Sequence, residues 1–393
     1  MITIQNADKA LKDYYLDAVS AQLNEGVSPF FSAIEKNSDD VYGKDAKIAV
    51  VRGNAGNVMA GVEDGALPAP YSNRYIDVTV PLKNLYGTIE ISDKALRASR
   101  DGSGAFVNLV NAEMEGLISS AKHNFQRMLF GDGSGRMCKI KSHGTGGNYT
   151  VDCVKDYFVG MKVDVELAST STLNDSKGLT IIAVDKAKNQ ITFDKSSIVD
   201  NILNGYVCPS GSIGNELTGL KALFDADTLY GYKKSEEPFV APLKVDCMND
   251  LTEDKLAEII DRVEESVNGR INMILCSYST RRRIAALIAN NRRVVNSVDA
   301  RTGVGVVTVN DVPVYADKFC SDDEIMFLNT DDFRLCQLCD WEWLEDEDGK
   351  ILKQIPGKAA YTATLVKYAE LICKKPCGQA MLYNIKPKAV TES

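Results

Sequence analysis

The sequence predicts an α+β protein built from several parts, and three observations carry that prediction. One is a single long stretch of helical periodicity between residues 101 and 135. Another is the alternation of apolar and polar residues in short runs on either side of it, the period of half-buried strands. The third is a segment, 136–215, whose short apolar runs are separated by Gly, Asn, Asp and Ser clusters with no helical period. At 393 residues the chain exceeds what one simple core organises, so two or three domains are expected.

In the periodic stretch, Phe106, Val110, Met114, Leu117, Ala121, Phe125 and Met128 recur at steps of three and four residues, one face of a helix. Asn111, Glu113, Glu115, Lys122, Asn124 and Arg127 lie between them and make a polar face. Asp101-Gly102-Ser103-Gly104 offers oxygens to cap the first amides. Gly131-Asp132-Gly133-Ser134-Gly135 ends the helix, because glycine takes the left-handed cap conformation at little cost. About 27 residues at roughly 1.5 Å each make a rod on the order of 40 Å long. Such a rod is a spine for the elements around it. His123, beside Asn124, is expected at its polar surface.

Residues 1–36 read as an arm. Leu11, Tyr15, Val19 and Leu23 form a short amphipathic helix that stops near Gly26, and Ser28-Pro29-Phe30-Phe31 then exposes aromatic area. So short a segment cannot bury its own apolar side chains and must pack on another domain or subunit. Residues 37–90 read as a long β-hairpin, with strands at Lys47–Arg52 and Tyr75–Leu82. Its tip, Gly53 to Asn73, is a glycine- and proline-rich loop of roughly 20 residues, a length that is usually functional. Val58, Met59, Val62, Leu67 and Pro68 would be wasted there unless they meet a partner.

Beyond the helix, 136–215 reads as a small inserted β-barrel, with short strands formed by Val151, Val154, Phe158, Val163, Val165 and Leu167, then Leu179 to Val184 and Gln190 to Phe193. Lysines and acids balance in it. Residues 216–310 alternate: Thr252-Glu253-Asp254 opens a helix that ends at Gly269, and Ile271 to Cys276 is a buried strand. Ser279-Thr280 then caps a helix from Arg281 to Asn290, a pattern of helices packed on a sheet. From residue 310 strands dominate: Val312–Ala316, Glu324–Leu328, Phe333–Trp343, Tyr361–Cys373 and Gln379–Ile385.

Composition narrows the function. A formal charge of −9 and a pI near 5.0 exclude the basic stripe of a dedicated nucleic-acid binder, though not a protein that merely encloses nucleic acid. No apolar run approaches the ~18 residues of a membrane span, and the N-terminus lacks a signal pattern, so no membrane is expected and synthesis is cytosolic. Ten scattered cysteines read as reduced thiols. Cys336 and Cys339, with Cys373 and Cys377, have near-zinc spacing, but both pairs lie in or at the ends of strands, where they do not converge. With two histidines and no phosphate loop, nucleophile elbow or dinucleotide fingerprint, the sequence offers no catalytic, cofactor or metal residues. The acidic run Glu342, Glu345, Asp346, Glu347 and Asp348 reads as a solvated hairpin tip. Arg281-Arg282-Arg283 and Arg292-Arg293 bracket a helix; in an acidic protein an intersubunit charge pair, or plain solvation, suits them better than nucleic acid.

The order of parts resembles the major capsid proteins of tailed bacteriophages, the Hong Kong 97-like fold. Particular words agree: Gly26-Val27-Ser28-Pro29-Phe30-Phe31-Ser32-Ala33-Ile34-Glu35-Lys36 at the arm-to-hairpin junction, Glu63-Asp64-Gly65-Ala66-Leu67-Pro68 at the hairpin's return, and Asn310-Asp311-Val312-Pro313-Val314-Tyr315-Ala316-Asp317 where the chain re-enters the peripheral domain. The resemblance implies an N-terminal arm (1–36), an extended hairpin loop (37–90), a peripheral domain with the spine helix (91–135 and 311–393, whose last strands return to the axial domain in one variant of the reading), an inserted barrel (136–215) and an axial domain (216–310).

It implies a non-enzymatic shell protein that assembles with itself into hexamers and pentamers of an icosahedral head. Such a head encloses double-stranded DNA without sequence-specific binding and is built in the host bacterial cytoplasm. Intersubunit contacts are then expected at Pro29, Phe30, Phe31, Val58, Met59, Val62, Leu67, Pro68, Arg281, Arg282 and Arg283. Some members weld their shells through a lysine at the hairpin tip; here none occurs between Lys47 and Lys83, so a non-covalent shell is expected. Too few residues precede the hairpin for a fused scaffold, so the expected partners are a separate scaffolding protein, a portal and a cement protein. The alternatives are an encapsulin-type compartment, which loads a cargo enzyme into the same fold, and, more remotely, a metal or redox enzyme built on Cys336 and Cys339.

Overall fold

The computed structural model describes residues 28–53, 63, 72–94, 105–144, 147–167, 176–195, 202–267, 269–291, 307–346, 349 and 351–385. Its residue contacts divide the chain into two units, one running to Phe130 and resuming at Leu223, the other spanning Gly131–Ala222. The first unit begins with α1 (Pro29–Ala33), β1 (Glu35–Asn37), β2 (Val41–Tyr42), the hairpin β3 (Asp45–Gly53) and β4 (Arg74–Pro81), β5 (Lys83–Ser92) and the long helix α2 (Ala105–Phe130). The second unit holds β6 (Cys138–His143), β7 (Asn148–Val151), β8 (Lys162–Glu166), β9 (Leu179–Asp185), β10 (Gln190–Phe193) and β11 (Tyr206–Pro209). Helix α3 (Leu220–Asp225) leads out of it to β12 (Thr228–Leu229), β13 (Tyr232–Lys233), β14 (Leu243–Asp246), α4 (Glu253–Val267), β15 (Met273–Cys276) and α5 (Tyr278–Asn291). The chain closes with β16 (Thr308–Val309), β17 (Val312–Ala316), β18 (Ile325–Leu328), β19 (Phe333–Trp343), β20 (Lys353–Gln354), β21 (Ala360–Cys373) and β22 (Ala380–Tyr383).

Two sheets carry the first unit. In one, β21 is central: β19 pairs with its second half and β5 with Ala360–Ala369 on the opposite side. β20 adds to its start, and β1 runs parallel to β19. Helix α2 lies against this sheet at Gly87, where an added Cβ would come within 2.8 Å of Leu117 Cδ1. The helix is buried differently from its predicted stripe. Ile118, Phe125, Leu129 and Phe130 are buried, whereas Leu117, Ala121 and Met128 are only half-buried. Gln126 and Arg127 are buried too, so the last turns present no fully exposed polar face. His123 is half-buried, its ring edge-on to Phe319 at 5.3 Å, instead of lying at a polar surface.

The other sheet has the order β14-β22-β18-β15-β17-β16. Its composition moves the boundary expected at residue 310. β15 is buried along its whole length and needs a neighbour on each side; β17 (parallel) and β18 (antiparallel) supply them from beyond that residue. Helices α4 and α5 pack on one face: Leu256, Ile259, Ile260, Val263 and Ile284 share a core with Ile274, Phe327 and Leu382. Thr252 Oγ1 accepts the Lys255 amide at 3.3 Å, capping α4 where expected. In α5 the cap is Ser277, whose Oγ accepts the Thr280 amide at 3.2 Å, two residues earlier than the expected Ser279-Thr280.

The second unit is a closed barrel in the order β10-β7-β6-β11-β8-β9. Ile140, Tyr149, Val163, Val165, Leu179, Ile181, Ile191, Phe193 and Val207 fill it, alternate positions of their strands turned inward. Two of its strands, β6 and β11, are absent from the sequence reading. Val154 and Phe158, expected among the strands, lie in the connection between β7 and β8. The Asp164 carboxylate ties the barrel's connections together, accepting from Gly178 N (2.7 Å), Ser210 Oγ (3.0 Å) and Gly211 N (2.9 Å). At the barrel's entry the left-handed residues are Gly133 and Gly135, not Gly131.

Candidate assembly surfaces

The first surface expected from the sequence is the aromatic junction of the arm. Proline at the start of α1 fixes the turn that aims its two phenylalanines. Both are spent inside their own chain: Phe30 is 0 % exposed and Phe31 4 %. The Phe30 ring meets Phe333 at 5.1 Å and Phe130 at 6.2 Å, and Phe31 meets Phe125 at 5.3 Å. That burial leaves the two rings little surface for the intersubunit contact expected of them. The rings at the end of α2 and the start of β19 give Phe30 and Phe31 edge-on aromatic partners, and burying them there outweighs exposure. Pro29 is half-buried beside them.

The hairpin strands, too, pack on their own chain along one face. One face of β3 and β4 (Ala46, Ile48, Val50, Val78, Val80) is buried with Cys336 and Ile372 of the β19–β21 sheet, with Tyr230 and Phe239 packed at the margin. Arg52 Nη2 also meets Glu237 Oε2 at 2.5 Å. Their own chain covers that face, whereas the opposite one, with Val51 and Tyr75, is exposed. Val58, Met59, Val62, Leu67 and Pro68 of the tip lie outside the described residues, as do residues 1–27, Arg292, Arg293, Glu347 and Asp348.

Charge is distributed unevenly over the two helices of the second sheet. In α5, Arg281 and Arg282 are exposed and Arg283 half-buried, with no acid anywhere in the helix. Arg281 lies over the Tyr278 ring, 5.8 Å from its centroid. Helix α4 is the reverse, with Asp254, Glu258, Asp261, Glu264 and Glu265 exposed. The sequence reading missed that acidic face. Its signal was available in the spacing of the acids at 254, 258, 261 and 265.

The remaining chemistry points to structure. Burial pushes the Cys336 thiol up to about 11 and those of Cys138, Cys208 and Cys276 up to about 12; Cys339, Cys373 and Cys377 are raised for the same reason. Raised values keep them as thiols rather than the thiolates that bind metal or attack disulfides. Lys367, 1 % exposed, donates to Asp340 Oδ1 at 2.5 Å and Gln337 Oε1 at 2.9 Å. Burial pushes Lys367 down and Asp340 offsets only part of this. Burial also works against the Asp340 carboxylate, but Lys367 more than compensates and holds it below the usual carboxylate range. The pair, flanked by Phe125 and Trp341, is an internal strut between β19 and β21. Val366 and Tyr368, the neighbours of Lys367 in β21, line with Ile351, Glu342 and Glu345 an open cleft of about 300 Å³.

No family model matches the sequence, and no curated protein does. Solved structures do match. The capsid chain of a native GTA particle superposes with a TM-score of 0.52 at 10 % identity, over 91 % of this chain and 90 % of that one. The capsid of cyanophage A-1(L) gives 0.52 at 11 % identity, over 91 % and 93 %. The chain has the fold of a phage capsid protein. A weaker likeness, a TM-score of 0.48 at 12 % identity, links it to the SrpI encapsulin of Synechococcus elongatus, over 94 % and 91 % of the two chains. Among the described residues no helix is long and apolar enough to cross a membrane.

Proposed function

We propose that this protein is the major shell protein of a tailed bacteriophage head, a structural rather than catalytic protein. The supporting observation is a capsid fold that extends over nine-tenths of the chain rather than over one domain. On this reading the β19–β21 sheet with α2 is the peripheral part, the six-stranded sheet with α4 and α5 the axial part, and the barrel an insertion. Copies assemble into hexamers and pentamers around double-stranded DNA, and closed symmetry repeats each contact without open edges. One face of the hairpin strands is covered by their own chain, so reach toward a neighbour falls to the tip and to the outer face that carries Val51 and Tyr75. That tip has no lysine between Lys47 and Lys83, so the shell is held by non-covalent contacts. A scaffolding protein, a portal and a cement protein are its partners, and the virion is its location.

The test is sedimentation velocity on the purified protein, alone and expressed with its genomic neighbours. The reading expects megadalton particles in at least one of the two preparations, far from the 43.0 kDa of one chain. Small species in both would overturn it. Absorbance of the particles then separates contents: nucleic acid supports the phage head, whereas a protein-only lumen would favour the compartment.

A further inference from the structure

Helices α4 and α5 cover the same face of the six-stranded sheet, since their apolar residues share one core. What they turn outward is opposite in sign. On α4, Asp254, Glu258, Asp261 and Glu265 follow one another at steps of four, three and four, a single acidic stripe with Glu264 beside it. Glu258 is paired at 3.6 Å with Arg262 of its own helix. Asp254, Asp261, Glu264 and Glu265 have no ion-pair partner among the described residues. The same holds for Arg281 and Arg282 of α5. Ala286 and Ala289 are exposed on the following turns, so no larger side chain there competes for this face.

We propose that the acidic face of α4 on one copy docks against the arginine face of α5 on the next. This rests on the shell reading and names the contact that sets its rings. A two-fold contact through α4 alone, or through α5 alone, would set like charges against each other. A two-fold contact that crossed α4 with α5 would pair both faces but stop at two copies; the head-to-tail contact that the shell reading requires pairs them as well and closes into a ring or runs on as a filament. Complementary charge at such a contact fixes partner and register and speeds encounter, which suits subunits that must join reversibly before a shell closes.

The experiment reverses each face in turn, as R281E/R282E and D261K/E265K, in the full chain expressed with its neighbouring genes. Folding is checked by circular dichroism, and assembly by sedimentation and electron microscopy. Each reversal alone is expected to lower ring and shell yield by about tenfold, and both in one chain to restore it to within about twofold. Mixing the two single reversals makes every contact complementary only where the variants alternate. The mixture therefore yields even-membered rings and no pentamers, and so open sheets or tubes in place of closed heads. Should a reversal unfold, the neutral pairs R281Q/R282Q and D261N/E265Q replace it, with lowered yield and no mutual rescue. Normal assembly of either reversal overturns the proposal. Normal shells of R281E/R282E that lose their nucleic acid would assign the arginines to the lumen and also overturn it. A wild-type chain that stays monomeric with and without its neighbours overturns the shell reading itself, and this contact with it.

Discussion

Phe30 illustrates how a side chain that looks like an assembly contact in sequence becomes part of a core in three dimensions. An aromatic pair in a 36-residue arm has no local core, so a partner was required; the partner proves to be the end of α2 and the start of β19. Sequence distance hides such a contact, because residues 30, 130 and 333 have no shared periodicity to link them. Phe30→Ala should therefore cost the isolated chain roughly 3–5 kcal/mol of unfolding free energy, read by denaturant titration of the monomer. An unchanged monomer with impaired assembly would return Phe30 to an interface. Lys367 and Asp340 were equally unreadable. Nothing in sequence marks a lysine as 1 % exposed until the strands that enclose it are paired.

At the scale of elements, legibility followed the strength of the local pattern. β17 and β19 begin and end where alternation and flanking turn residues placed them, and α4 starts at the threonine that caps it. β6 and β11 escaped because one is mostly polar outside its two inward residues and the other is four residues ending in proline. β16 escaped because it is two residues long, paired with β17 across the turn at Asn310-Asp311. Both turn residues have positive φ, 45° and 64°, the form that hairpin turns of this length favour. The glycine cluster after α2 was read correctly as a stop, yet its larger role is to admit the chain into the barrel. Gly135 sits at φ 80°, and an added Cβ would approach Ser212 O to 2.6 Å. Gly135→Ala should destabilise the barrel by roughly 1–3 kcal/mol, seen as faster amide exchange within 138–209. Equal exchange across the barrel in wild type and variant would show the glycine to be incidental.

For the whole molecule, the decisive fact is the match in extent between this chain and capsid chains, nine-tenths of each at one residue in ten identical. Such divergence leaves the architecture intact while surfaces are rewritten, so the fold cannot say by itself what a shell holds. The surface that remains distinctive is the charge split between α4 and α5, in a protein whose overall charge of −9 would otherwise oppose association. The sequence reading found the arginines because they are consecutive. It missed the acids because they are spread over three turns, and it could not pair the two helices without the sheet that holds them side by side.

The central claim is that copies of this chain build a closed shell, and cryo-electron microscopy of the protein purified with its genomic neighbours tests it most directly. The account predicts polyhedral particles tens of nanometres across, with density for this fold repeated in rings of about six and five around their axes. A field of dispersed monomers or small discrete oligomers would contradict it.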